Sequence, residues 1–221
     1  MPWQSLLNPF LGKFGKKKKM PTEWKNGIIV NVKKIGDTSK CTNWRGITFL
    51  PMLSKVLNRI LLTRIKQAVE VCLRKEQAGF REHWSCTDLI NTLRIILEQS
   101  FEWQGTLYMA FMGFEKAFYS LNQDIMWHIL EKYDLPKKII NIIKSSYDGY
   151  ECRVIHEALM SNPIKVKSGV KQGCLLLPSL FVVLFDSIMR VLLRGCRDGI
   201  QWGIRERLID LDFADDLFLL T

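Results

Sequence analysis

Apolar positions change their spacing from one stretch of the chain to the next, and the spacing predicts the elements. Leu53, Val56, Leu57, Ile60, Leu61, Ala68 and Cys72 recur at helical intervals, while Lys55, Arg59 and Lys66 fall on other faces. A second amphipathic helix carries Leu89, Leu93, Ile96, Leu97 and Phe101. Helices are also predicted over Asn122–Tyr133, over Lys137–Ser146 behind Pro136, and over the apolar stretch Leu175–Leu193. Strands are predicted at Gly27–Val32, followed by a Lys33-Lys34-Ile35-Gly36-Asp37 turn, and at Thr106–Met112, ending at Gly113. Further strands are expected at Cys152–Ile155 and Ile164–Lys167. Two short runs, Leu208–Phe213 and Leu217–Leu220, close the pattern around Asp215-Asp216. Helices and strands mixed without strict alternation predict an α+β fold rather than a doubly wound sheet.

At 221 residues the chain predicts one domain or a tight pair of subdomains. Its 48% hydrophobic and 24% charged residues exclude a disordered or fibrous class, and a core of this size needs no disulfide or metal staple. The net charge of +10 favours an anionic partner. Residues 1–40 carry +7 of that charge. The first twenty residues read as a basic leader, with regular structure beginning near Pro21. The run Lys16 to Lys19 is either a phosphate-binding or nuclear-localisation patch or a solvated charge run.

Cys41, Cys72, Cys86, Cys152, Cys174 and Cys196 show neither a C-x-x-C pair nor zinc spacing. No secretion signal is legible, which predicts free thiols and an intracellular protein, in nucleus or cytoplasm. The longest apolar stretch contains Pro178 and is followed by Asp186, too short for a bilayer span, so no membrane partner is expected.

Three segments carry candidate chemistry. Phe213-Ala214-Asp215-Asp216 sets two carboxylates at a turn between apolar strands, where they either hold a divalent cation for phosphoryl transfer or make a hairpin turn. Gly169-Val170-Lys171-Gln172-Gly173 has glycines that admit a phosphate or base close to backbone, or that serve an ordinary turn. The stretch from Lys33-Lys34 to Asn43-Trp44-Arg45-Gly46 is a cationic hairpin suited to triphosphate or template backbone, or a solvated one.

The order of WKNGIIVNVKKIGD, NWRGITFLPMLSKVLNRILLTRI, EQAGFREHWSCTDLI, FEKAF, SGVKQGCLLLP and FADD resembles the reverse transcriptase domain of non-LTR (LINE-type) retrotransposons, over about residues 20–221. The resemblance implies the right-hand polymerase fold without its thumb. Fingers would take about 21–104 and 122–165, and palm about 105–121 and 166–221. It implies an RNA-directed DNA polymerase that takes RNA template, DNA primer, deoxynucleoside triphosphates and two Mg²⁺. Asp215 and Asp216 would be catalytic metal ligands. Lys33, Lys34 and Arg45 would touch the triphosphate, and Arg81 would join the substrate contacts. Phe118 would crowd a ribose 2′-hydroxyl, and Gln172 with Gly173 would line the nucleotide pocket.

The chain also departs from that pattern. In F-x-D-x-x-K-A-F-D the first aspartate is replaced by Gly113 and the last by Tyr119, and Glu115, close in sequence, is expected in the turn after the strand, aimed away from Asp215. The second cation of G-F-R-P-x-R-S is Trp84, and Leu177 replaces a serine. The sequence therefore predicts a truncated, degenerate copy that binds at most one Mg²⁺ weakly and does not catalyse. The alternatives are a non-catalytic nucleic-acid-binding remnant and a product without function. Oligomeric state is not legible.

Overall fold

The computed structural model describes residues 20–114, 117–157, 159–166, 168–203 and 206–221, and these divide into two compact units. One takes in the described residues of Met1–Ile65 and Leu121–Leu177, the other those of Lys66–Ser120 and Pro178–Thr221. The expected Lys16–Lys19 patch and Glu115 lie outside the described residues, as does the Lys167 end of one expected strand.

The first unit is built on a five-stranded sheet. After a short helix α1 (Thr22–Lys25), β1 (Gly27–Lys33) pairs antiparallel with β2 (Trp44–Phe49), with Ile29 opposite Thr48 and Lys33 opposite Trp44. The chain returns to this sheet much later, and β4 (Glu151–His156) lies parallel to β1. Two short strands, β5 (Leu159–Met160) and β6 (Ile164–Lys165), pair antiparallel with β4. Between these strand groups come α2 (Met52–Cys72) and, within this unit, the helices α5 (Gln123–Lys132) and α6 (Lys137–Tyr147). Asn122 caps α5, its Oδ1 accepting the N–H of Asp124 at 2.9 Å and of Ile125 at 3.3 Å. Pro136 precedes α6, whose buried Ile140, Ile142, Ile143 and Tyr147 form its apolar stripe.

The second unit holds a three-stranded antiparallel sheet. Its order is β3 (Met109–Gly113), β10 (Asp216–Leu220), β9 (Asp210–Phe213). A separate hairpin joins β7 (Ile200–Trp202) to β8 (Glu206–Leu208). Helix α3 (Cys86–Glu102) starts where the Asp88 carboxylate accepts the N–H of Ser85 at 2.7 Å. Its Ile96 packs with Leu208, Leu211, Phe218 and Leu220 in one buried cluster. Helix α4 (Ala117–Ser120) is a single turn, and α7 (Leu177–Leu192) begins where the chain enters this unit for the second time.

Most expected elements recur with shifted ends. β3 ends at Gly113, which pairs with Asp216, and its start moves from Thr106 to Met109. The run expected over Leu208–Phe213 breaks at Ile209 into β8 and β9, which pair with different partners. Helix α7 is buried at Leu177, along Leu180–Asp186 and at Met189, whereas Val191 and Leu192 are exposed. None of the described helices is long and apolar enough to cross a membrane.

Candidate active site

The hairpin between β9 and β10 turns through Ala214, which sits at φ 60°, in the left-handed region that alanine rarely adopts. A buried amide holds that strained turn. Gln77 Oε1 accepts the N–H of Gly79 at 2.7 Å and of Ala214 at 3.0 Å. Gly79 approaches so closely that a side chain there would collide with the Ala214 backbone. Residues 76–78 run beside β9, the N–H of Ala78 donating to Asp212 O at 2.8 Å and the N–H of Asp212 to Glu76 O at 2.9 Å. The tip so fixed presents Asp215, half-buried, and Asp216, exposed.

Across the sheet, Gly113 is the register partner of Asp216. A Cβ placed on Gly113 would lie 3.6 Å from Asp216 Oδ1 and, among the described residues, meet no other atom within 4 Å. Gly113 has no positive φ, so its backbone does not require glycine. The position opposite the aspartates is thus open, extended and without a carboxylate.

Beneath the hairpin lies a charge cluster that the sequence reading missed. Arg74 donates from Nε to Asp186 Oδ1 at 3.0 Å, from Nη1 to Asp210 Oδ2 at 2.7 Å and from Nη2 to Asp212 Oδ2 at 2.5 Å. Arg190 donates to Asp186 Oδ2 at 2.8 Å. Among the described residues, two guanidinium groups therefore face three buried carboxyl groups. Burial, reinforced by the neighbouring Asp210, pushes the Asp212 carboxyl up to about 8, against the pull of Arg74. Asp212 Oδ1 has no hydrogen-bond partner among the described residues.

Phe118, on α4, is half-buried and packs on Phe181 with ring centroids 4.6 Å apart. Phe181 stacks on Phe185 at 5.9 Å, and Phe185 meets the edge of Phe114 at 5.4 Å. The Arg81 guanidinium is committed within the unit. It donates to Glu70 at 2.8 and 2.5 Å and to the carbonyls of Arg74 and Gln77 at 2.7 Å each. Trp84, standing where the family pattern has a cation, lies with its ring 4.7 Å from the Arg81 guanidinium carbon. Leu177 is buried at the start of α7.

In the other unit, strand parity separates the expected triphosphate contacts. Lys33 pairs with Trp44 and Val32 with Arg45, so Lys33 and Arg45 project from opposite faces of the sheet. Lys34 turns its ammonium onto Thr42 O at 3.3 Å. The loop carrying Gln172 and Gly173 is hooked to β2 by the Thr48 N–H donating to Gln172 O at 2.8 Å. Gly173 sits at φ 106°, and a Cβ there would lie 2.5 Å from Thr48 O, so the turn and the close approach both demand glycine. Beside them Lys171 is buried. Its ammonium donates to Ser146 O at 2.6 Å and lies 4.0 Å from the Tyr150 ring centroid. Burial pushes that amine down to about 8.

These residues do not fit a two-ion cage. Such a cage needs carboxylates that bridge both ions from more than one wall. Asp215 and Asp216 share one turn, and Gly113 offers only backbone opposite them. Among the described residues, no group of three or more His, Cys, Asp or Glu is arranged to hold a metal ion.

Comparison with known proteins places this geometry. The family described as "Reverse transcriptase (RNA-dependent DNA polymerase)" matches residues 25–221. The chain is 29% identical over 205 residues to the Pol polyprotein of a type-1 R2 retrotransposable element from Popillia japonica, covering 91% of this chain and 28% of that protein. It is 28% identical over 209 residues to the RNA-directed DNA polymerase of the mobile element jockey from Drosophila melanogaster, covering 91% and 22%. The chain thus spans less than a third of the length of these relatives. Among solved structures, an apo telomerase from Candida tropicalis truncated from its C-terminal domain aligns with a TM-score of 0.63 at 17% identity, covering 99% of this chain and 48% of that one. A Candida albicans telomerase bound to a fragment of telomeric RNA aligns at 0.59 and 12%, covering 99% and 42%. At these identities the structural match establishes the fold, that of reverse transcriptase fingers and palm.

Proposed function

Because the chain belongs to the reverse transcriptase (RNA-dependent DNA polymerase) family, we propose that it is a retrotransposon reverse transcriptase domain that still takes nucleic acid but no longer extends a primer. The relatives' activity is to build DNA on an RNA template, as the name of the jockey protein states. In that reading Asp215 and Asp216 are the surviving carboxylates of a Mg²⁺ site. Phe118 is the ribose gate of its own unit, and the Gln172–Gly173 turn of the other unit is a contact for a deoxynucleoside triphosphate. Arg45 meets the triphosphate, and Lys33, from the opposite sheet face, meets nucleic acid backbone. Arg81, held by Glu70 and two carbonyls, positions the turn that carries Gln77 rather than touching substrate.

The pairing of Gly113 with Asp216 carries the loss of catalysis. Mg²⁺ demands near-octahedral oxygen ligands, and one turn with two carboxylates supplies part of one such shell. The retained binding is supported by the +10 charge and by the lysines of the β1–β2 hairpin.

The binding half of the proposal is tested by fluorescence anisotropy of a labelled RNA–DNA primer–template across a salt series. Log affinity is expected to fall linearly with log salt, by about 0.9 for each duplex phosphate contact. Absence of binding at low salt would reject retained binding and leave a product without that function.

A further inference from the structure

One face of the five-stranded sheet runs from a buried end to an open cleft. Strand parity puts Gly27, Ile29, Asn31 and Lys33 of β1 on this face, with Thr48, Gly46 and Trp44 of β2 beside them. The parallel pairing of β4 adds Cys152 and Val154, and the next alternate residue is His156. At the open end, Asn31, Cys41, Trp44 and His156 line a cavity of about 470 Å³. The functional reading above does not use it.

We propose that this cleft is a stacking site for an unpaired base of a single-stranded nucleic acid; the inference rests on the nucleic-acid-binding part of the function proposed above. Four features carry it. Trp44 is held in place, its indole Nε1–H donating to Thr38 O at 2.9 Å. The loop that supplies Thr38 is itself knitted together. Asp37 accepts the N–H and the hydroxyl of Ser39 at 2.9 and 2.7 Å, and Asn43 Nδ2 donates to Asp37 O at 2.6 Å. An aromatic surface fixed in this way loses little freedom when a base stacks on it.

The His156 ring stands at 87° to Trp44 with centroids 6.4 Å apart, walling one side of the cleft. Gly46 keeps the floor low, since a Cβ there would press on Ile29 at 2.9 Å and approach Asn31 Oδ1 at 3.7 Å. Asn31 thus faces the cavity with an amide able both to donate to and accept from a base edge. Lys33, the register partner of Trp44 on the same face, supplies a cation for the adjoining phosphate. Two acids lie near the rim: Glu157, exposed and 3.9 Å from His156 Nε2, and Asp37, which is engaged by Ser39. An aromatic platform beside a cation, with a polar floor, is the chemistry of sequence-tolerant single-strand binding.

The test compares labelled oligouridine with an abasic strand of equal phosphate count, by anisotropy with the full chain. The natural protein is expected to prefer the base-bearing strand. Trp44→Ala should weaken oligouridine binding by about fivefold or more, leave abasic binding within about twofold, and keep the salt slope. Trp44→Phe should retain most of the affinity. His156→Ala, at an exposed position, provides a second variant should Trp44→Ala fail to fold, and it should also reduce the base preference. Equal loss on both strands, no loss on either, or no base preference in the natural chain overturns the stacking site while leaving phosphate binding intact. Failure to bind either strand instead removes the nucleic-acid reading on which it rests.

Discussion

Gln77 and Ala214, 137 residues apart in sequence, share a buried hydrogen bond that fixes the tip of the aspartate hairpin. The same side-chain oxygen also accepts the N–H of Gly79. Gln77→Ala leaves both donors buried without an acceptor, at a cost of about 1–3 kcal/mol for each orphaned group. The expected result is a lower urea midpoint with an unchanged slope. A midpoint equal to that of the natural chain would show that the strained Ala214 turn does not depend on Gln77.

The Arg74 cluster predicts a pH dependence of stability. An aspartate in the unfolded chain titrates near about 3.9, whereas burial and Asp210 raise Asp212 to about 8 in the fold. The native state therefore keeps a proton that the unfolded chain releases. Stability from this group is fully present below about 4 and is lost as pH rises toward 8. Asp212→Asn imitates the protonated form and removes that loss, while Arg74, Arg190, Asp186 and Asp210 remain as they are. The measurement is the difference in unfolding free energy between natural and Asp212→Asn proteins at several pH values. It should shift in favour of the variant as pH climbs from 5 to 8. A constant difference would mean that Asp212 is ionised throughout.

Phe118 is a gate candidate that also touches the core. Its half-exposed ring on Phe181 predicts that Phe118→Ala costs about 1–2 kcal/mol in urea unfolding, less than the ~3–5 kcal/mol of a fully buried aromatic truncation. In a Gly113→Asp background the truncation should admit ribonucleotides. A loss of the full core magnitude would assign Phe118 to packing alone.

The sequence made the aspartate turn legible because both its strands are short apolar runs and its residues are local. The missing carboxylate at Gly113 was legible through family spacing, and the register then set it opposite Asp216. Lys33 and Arg45 read alike in the sequence because both are cations of one hairpin. Their separation follows from β1–β2 parity, which spacing alone does not give before β2 is recognised as a strand. Arg74 carries no local sequence signal of its own because its partners lie 112 to 138 residues away. Two local signals pointed to it: Asp186 alone in an apolar helix, and the alternation Asp210-Leu211-Asp212 in a buried strand. Both place acids in apolar stretches, where a cation, a hydrogen-bond donor or a retained proton must satisfy them.

We propose that Gly113 disables this palm. Its extended backbone and the open 3.6 Å approach to Asp216 Oδ1 mean that Gly113→Asp should fold normally. The direct measurement is primer extension on an RNA template by this chain joined to the C-terminal sequence of the Popillia japonica relative, with and without Gly113→Asp. The natural Gly113 form is expected to stay at background and the Gly113→Asp form to extend the primer. Extension by the Gly113 form at a rate similar to that of the Gly113→Asp form would contradict the account.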